Sequence, residues 1–297
     1  MELFSNLTLL SSEQATTLPY LTYRLAQDGI NVIRLENPKI GDPNRMVGSP
    51  LPGEEKMNWY YLCINAGKKA ISLNMSHPRG QELLANLIKK LNVDVFATNQ
   101  MPNTYEKLGI SPERLRAIKP DLIWIGLTGF GPNHPEAAYD PILQARGGLM
   151  ELTGEPDQPP QVVGIPLPDM GTSEHAYGQL MKALYVREKT GQGSTIHMSM
   201  LSSTASWLTV PITLTASFGQ KITRRGNTHQ FFAPLTILPT KDGYLYIAVG
   251  NDRQWSAIVN LPEFQSLNKP EYATNAGRIA DVKALNQGLA DIARNIP

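Results

Sequence analysis

One carboxylate stands apart from the other acidic residues of the chain. Asp169 lies in Gly164-Ile165-Pro166-Leu167-Pro168-Asp169-Met170-Gly171-Thr172-Ser173, a short apolar run broken twice by proline and followed by a long helical pattern. Proline fixes φ and disfavours helix in the residue before it. Pro168 should therefore end the extended segment and leave Asp169 as N-cap of a helix from Gly171 to Arg187. Capping is the plainer role for an aspartate at this place. The chemical role is nucleophilic. A carboxylate is ionised at neutral pH without an activating base, and it can attack a thioester to give a mixed anhydride. Which role applies depends on whether the rest of the chain builds a site for a thioester carrier.

Other chemistries lack their residues. There is no G-x-x-x-x-G-K-[ST] phosphate loop, no G-x-G-x-x-G after a strand and no G-x-S-x-G elbow. The histidines at 77, 134, 175, 197 and 229 have no metal-ligand spacing, and each is expected to be structural. Cys63 is the only cysteine, which excludes internal disulfides and cysteine-rich zinc sites and fits a reducing cytoplasm. No bound metal and no permanent cofactor is expected.

The elements that must carry Asp169 read as alternating helices and strands. Leu18 to Asp28 has helical spacing, Gly29 stops it, and Ile30 to Leu35 is a β-branched strand. Strands at Ala70 to Met75 and Val93 to Ala97 flank a helix from Arg79 to Leu91, which makes a βαβ unit and implies a parallel sheet. A helix from Pro112 to Ile118 leads to a strand from Leu122 to Leu127 with the exit Thr128-Gly129-Phe130-Gly131-Pro132. Ligands of open parallel sheets sit beyond the carboxyl ends of the strands, which puts Leu73 to Ser76 and Asn99 to Met101 in ligand-facing positions. A short helical segment follows Tyr139, and a strand runs from Ser194 to Met200. Leu201 to Phe218 is apolar with helical spacing, and the basic run Lys221 to Gly226 reads as a solvated linker. Beyond it, Phe232 to Pro239 and Tyr244 to Val249 form a hairpin around Asp242-Gly243, followed by polar helices from Asp252.

The expected fold is α/β: an open parallel sheet with flanking helices, Rossmann-like, plus a second, smaller α+β domain. The boundaries are 1–202 for the large domain, 203–225 for a helix and linker, and 226–297 for the small domain. At 297 residues, 41% hydrophobic and 18% charged, the chain has the composition of a soluble globular protein. A net charge of +1 gives no nucleic-acid footprint. The start MELFSNLTLLSSEQATT lacks a charged leader, and no apolar run is long enough to span a membrane, so a cytoplasmic protein with no membrane partner is expected.

Several blocks together resemble the class III CoA-transferases of the CaiB/BaiF type, the group of formyl-CoA and carnitine CoA-transferases. They are Gly41-Asp42-Pro43-Asn44-Arg45, Gly67 to Leu73, Gly129-Phe130-Gly131-Pro132, Tyr139-Asp140, Gly147 to Pro156, Arg187 to Gly193, Gly226-Asn227-Thr228-His229, Ala248 to Trp255 and Tyr272 to Arg278. None is unique alone, but their order and spacing are specific, and Asp169 falls where that family has its catalytic aspartate.

The resemblance implies transfer of CoA from an acyl-CoA donor to a carboxylic acid through an aspartyl anhydride and an aspartyl-CoA thioester. It implies CoA contacts at Thr16, Thr17, Leu73, Asn74, Met75, Ser76, Asn99, Gln100, Met101, Lys107, Ala137, Tyr139 and Asp140. Asn37 stands where the family has an arginine and Gln100 where it has an aromatic residue, leaving Lys39, Arg45 and Lys68 to supply charge for phosphates. Family chains also run on past a segment like Asn275 to Pro297 and return to the first domain, interlocking two subunits. This chain stops at Pro297, so the returning segment is expected to be lacking. Two other readings stay open: an α-methylacyl-CoA racemase-like isomerase, and a silent or truncated transferase subunit. In the racemases a histidine occupies the place of Tyr139, and a phenol is a poor base at neutral pH, which favours transfer. Tyr139 either shapes the acyl pocket or packs beside Pro141.

Overall fold

The structure is a computed structural model and describes residues 4–297. Met1 to Leu3, the start of the segment read as lacking a leader, lie outside the described residues. In chain order the first elements are β1 (Thr8–Ser12), α1 (Thr17–Gln27), β2 (Asn31–Glu36), α2 (Trp59–Cys63), β3 (Lys69–Ser72), α3 (Pro78–Lys90) and β4 (Val95–Thr98). Next come α4 (Tyr105–Leu108), α5 (Pro112–Ile118), β5 (Ile123–Thr128), α6 (Asp140–Arg146), α7 (Leu149–Leu152), α8 (Leu167–Thr190), β6 (Thr195–Ser199), α9 (Met200–Ser206) and α10 (Thr209–Phe218). The last are β7 (Leu235–Pro239), β8 (Tyr244–Ala248), α11 (Asp252–Val259), α12 (Asn275–Ala280) and α13 (Val282–Ala293).

The chain divides into two compact units. One comprises the described residues through Leu149 together with Val162–Lys221, and the other comprises Met150–Gln161 and Ile222–Pro297. The boundaries drawn from sequence differ because 150–161 groups with the later residues and the 203–225 segment divides, 203–221 going with the earlier ones and 222–225 with the later.

In the first unit six strands form one parallel sheet in the order β3-β2-β1-β4-β5-β6. Side chains alternate across a strand, so β1 sends Leu9 to one face and Leu10 to the other. On the first face Leu9, Val32, Val95, Ile123 and Ile125 pack with Leu18, Leu21 and Leu25 of α1 and with Ala176, Leu180 and Ala183 of α8. On the second, Leu10, Ile33, Phe96 and Trp124 pack with Leu84 and Ile88 of α3 and Leu115 of α5. Each fully buried leucine or isoleucine contributes about 1.5–3 kcal/mol, and this two-sided burial is what parallel sheets require. The fold is the mixed α/β architecture expected.

Strand β1 was not read from the sequence, although it is central and pairs with both β2 and β4. Its residues, Thr-Leu-Leu-Ser-Ser, are too little β-branched and too polar at the end to declare themselves. The apolar run from Leu201 to Phe218 is two helices, α9 and α10, separated at Trp207-Leu208. Helix α8 begins at Leu167 with Pro166 as N-cap, so Asp169 lies inside the first turn and is not the cap.

In the second unit β7 and β8 form the antiparallel hairpin, from Leu235 opposite Ala248 to Pro239 opposite Tyr244. Leu238, Trp255, Val259, Phe264, Leu285 and Leu289 make its core. Arg278 is fully buried and donates to the carbonyls of Ala233 (2.7 Å) and Tyr272 (2.9 Å) and to Asp252 (2.8 Å). The basic run from Lys221 is not a solvated linker. Arg224 pairs with Glu151 at 3.0 Å and donates through Nε to the Gln158 carbonyl at 2.8 Å.

Candidate active site

The strand order reverses between β1 and β4, because connections from β1 run toward β3 and those from β4 run toward β6. At such a switch point the two loops leave in opposite directions and open a crevice beyond the carboxyl ends. Here that crevice is a cavity of about 420 Å³. Its walls are the turn after β1 (Gln14 to Thr17), Pro43, Asn44 and Val47, the turn after β4 (Asn99 to Met101), Thr128 and Gly129 after β5, and Ala137 to Asp140. Asp169 and Met200 close it.

Asp169 is half-buried at the start of α8, where the helix dipole favours a negative charge. The Thr17 hydroxyl donates to its Oδ1. Its own backbone N–H, one of the donors a first turn leaves unsatisfied, donates to Asp140 Oδ2 at 3.1 Å. Asp140 thus does the capping that sequence reasoning gave to Asp169. The Gln144 amide donates to Asp140 Oδ1 at 2.6 Å and holds that carboxyl in place. Burial pushes the Asp169 carboxyl up from 3.8 to about 6; the Thr17 hydroxyl opposes this and the Asp140 charge adds to it. Burial also raises the Asp140 carboxyl, against the Gln144 amide and the Asp169 N–H. The result is a carboxylate still ionised at neutral pH but poorly solvated, which favours nucleophilic attack.

Two further chambers adjoin this one. A cavity of about 130 Å³ shares Gln14 and Gln100 with it and continues along Leu35, Glu36, Leu73, Met75 and Ser76. Another, of about 430 Å³, shares Tyr139, Asp140 and Asp169 and is walled by Tyr60, Pro141, Gln144 and 162–166. Asp169 therefore borders a crevice on the sheet side and a separate, mainly apolar chamber. Tyr139 lines both and is 76% exposed, so it is not held by packing against Pro141.

The structure brings most of the expected site residues together. Thr16, Thr17, Asn99, Gln100, Met101, Ala137, Tyr139, Asp140 and Asp169 line the main crevice, and Leu73, Met75 and Ser76 line its extension. Asn74 and Lys107 line neither. Asn74 Oδ1 accepts from the Ser76 N–H at 3.2 Å, and Lys107 is exposed on α4. Sequence reasoning gave no site role to Tyr60 or Met200, and it had Asn44 only as part of a family block; these come from loops and helices far apart in the chain. The histidines take structural parts: His77 caps α3 by accepting the Arg79 N–H at 3.2 Å, and His175 accepts from Trp207 Nε1 at 2.9 Å.

The cations proposed for phosphate binding are mostly committed elsewhere. Lys68 is buried and donates to Glu13 Oε1 (2.9 Å), the Pro19 carbonyl (2.8 Å) and Asn65 Oδ1 (2.9 Å). Burial pulls its ammonium down to about 8 despite Glu13. Arg45 grips Glu36 through two bonds of 2.7 and 3.0 Å and also donates to the Tyr61 hydroxyl at 2.7 Å. Lys39 is exposed. Among the described residues no group of side chains is arranged to hold a metal ion, and no helix is long and apolar enough to cross a membrane.

Comparison with known proteins supplies the family. Residues 4–296 match the model of CoA-transferase family III. The chain is 35% identical over 274 residues to the succinyl-CoA:glutarate CoA-transferase of Mus musculus, covering 90% of this chain and 61% of the mouse protein. It is 32% identical over 293 residues to the acetyl-CoA:oxalate CoA-transferase of Acetobacter aceti, covering 96% of this chain and 74% of that one. It thus spans less than two thirds of the length of the mouse relative. The crystal structure of a CaiB/BaiF family protein from Brucella suis superposes with a TM-score of 0.86 at 31% identity, covering 98% of this chain and 78% of that one. By sequence and fold, the chain belongs to CoA-transferase family III.

Proposed function

We propose that this chain moves CoA from an acyl-CoA donor to a carboxylic acid, with Asp169 as the transient carrier. The observation that carries the reading is the position of a half-buried, up-shifted carboxylate where the switch-point crevice meets a second chamber. The pantetheine arm occupies the crevice and the acyl group or acceptor acid occupies the chamber beside Tyr139. An Asp169 oxygen attacks the acyl carbonyl, the C–S bond breaks, and the products are an acyl-aspartyl anhydride and CoA thiolate. The thiolate then attacks the aspartyl carbonyl, releasing the donor acid as carboxylate and leaving an aspartyl-CoA thioester. The acceptor carboxylate attacks that thioester and expels the thiolate, which takes the acceptor's acyl group and regenerates Asp169. No net proton is consumed. Water must be kept out, since it would discharge either intermediate.

Family membership also supports a homodimer, which light scattering tests. The single free cysteine fits a reducing cytoplasm. The names of the relatives make dicarboxylic acids, glutarate and oxalate among them, the first acceptors to try with succinyl-CoA and acetyl-CoA. The test is to incubate the protein with acyl-CoA and hydroxylamine and to map modified carboxylates by mass spectrometry. A hydroxamate at Asp169, absent from Asp169→Asn, is expected. Full turnover by the asparagine variant would refute the mechanism, and α-proton exchange in deuterated water without an acceptor acid would point to a racemase instead.

A further inference from the structure

The block Gly41-Asp42-Pro43-Asn44-Arg45 takes no part in the chemical steps above, yet Pro43 and Asn44 wall the crevice and the block also reaches the start of α1. Ala15, between β1 and α1, has φ +61°, a left-handed conformation unusual for a residue with a side chain. Both polar groups of its backbone are taken by this block. Asn44 Nδ2 donates to the Ala15 carbonyl at 2.6 Å, and the Ala15 N–H donates to Asp42 Oδ1 at 3.4 Å. Asp42 is fixed in turn by the Asn44 N–H at 2.8 Å and by Arg34 at 2.7 Å, with Asp42 2% and Arg34 1% exposed. Two residues beyond Ala15, Thr17 begins α1 and donates to Asp169. The Ser173 hydroxyl anchors the Thr17 carbonyl at 2.5 Å.

We propose that Asp42 and Asn44 are positioning residues: they hold Ala15 in its left-handed conformation and so aim the Thr17 hydroxyl at Asp169. Ala15 sets the direction in which the chain leaves β1. If it relaxes to negative φ, the start of α1 turns away and Thr17 loses its line to the carboxylate. Among the groups facing Asp169, the Thr17 hydroxyl is the one that donates to its carboxylate, and the Tyr60 hydroxyl is paired with Thr16 instead. The titratable ones are Asp140 at the start of α6, Tyr139 before it and Tyr60 on α2, while α9 presents Met200. None of these is basic, and Asp140 makes ionisation of Asp169 harder. The clamp therefore keeps the carrier carboxylate ionised near neutral pH. This proposal rests on Asp169 being the reactive group.

The test is direct titration of the Asp169 carboxyl by carbon NMR in protein labelled at aspartate, with the resonance assigned by its loss in Asp169→Asn. Thr17→Val should move the midpoint up by about one unit, and Asn44→Ala by about half a unit. Adding Asn44→Ala to Thr17→Val should move it no further. Adding Ala15→Gly to Asn44→Ala should recover part of the shift, because glycine adopts positive φ without steric cost. Should Asn44→Ala fail to fold, Asn44→Ser is read in the same way. A folded Asn44 variant with the wild-type midpoint, or an Asn44 effect of full size in the Thr17→Val background, overturns the proposal. Undiminished turnover by Asp169→Asn sinks the functional reading instead and leaves the titration result as it stands.

Discussion

Replacing Asp169 by asparagine should stabilise the fold, and the gain should grow with pH. The carboxyl titrates at about 6 in the folded protein against 3.8 unperturbed, so the native state holds a proton over a range in which the unfolded chain has released it. Stability is then fully present below the unfolded value and is lost as pH rises through the folded one. Roughly two units at 1.36 kcal/mol each amount to about 3 kcal/mol, lost between about pH 4 and about pH 7. Asparagine is isosteric and keeps an oxygen for the Thr17 hydroxyl, but it has no charge to desolvate. Urea unfolding of both proteins at about pH 4 and about pH 8, followed by circular dichroism, gives the difference directly, provided the denaturant slopes agree. The expected result is near-equality at the lower pH and an advantage of about 2–3 kcal/mol for the variant at the higher. A gap independent of pH, or one that narrows as pH rises, would show that Asp169 is not held up-shifted by burial.

Other perturbations follow from the same geometry. Thr17→Val should move the acid limb of kcat/KM for transfer up by about one unit, since a hydrogen bond to the ionised form is lost; pH–rate profiles read this. Gly171→Ala should destabilise by about 1–3 kcal/mol, because a Cβ there would lie 1.7 Å from the Trp207 ring; thermal melting checks it. Lys68→Met should cost about 3–5 kcal/mol, leaving Glu13 buried without its ammonium partner, as measured by urea unfolding.

The parts of the fold that depend on local pattern were legible in the sequence. The strands and helix of the βαβ unit around α3, strand β5, the hairpin at Asp242-Gly243 and the carboxylate at the start of α8 carry their signals in short local stretches. What failed depended on distance. The central strand β1 owes its place to neighbours on both sides rather than to β-branched residues, and Trp207-Leu208 breaks a helix whose apolar spacing alone would continue. Lys68 looks like a free cation in the sequence because Glu13 is 55 positions away. Asn44 and Tyr60 reach the site only through the folding of the 37–63 segment, which has no periodic pattern to announce it. The offset of Asp169 within α8 has a local cause. Pro168 is tolerated in the first turn, where its missing N–H has no intrahelical partner, so the helix starts before the proline rather than after it.

The indole of Trp207 lies directly against Gly171, two residues past Asp169, and its Nε1 bonds to His175 on the same helix. A chromophore so near Asp169 and outside the crevice gives the proposed transfer a built-in indicator. Acylation or thioester formation at Asp169 should change the emission of this tryptophan in stopped flow, timing each half of the transfer without a coupled assay or a labelled substrate.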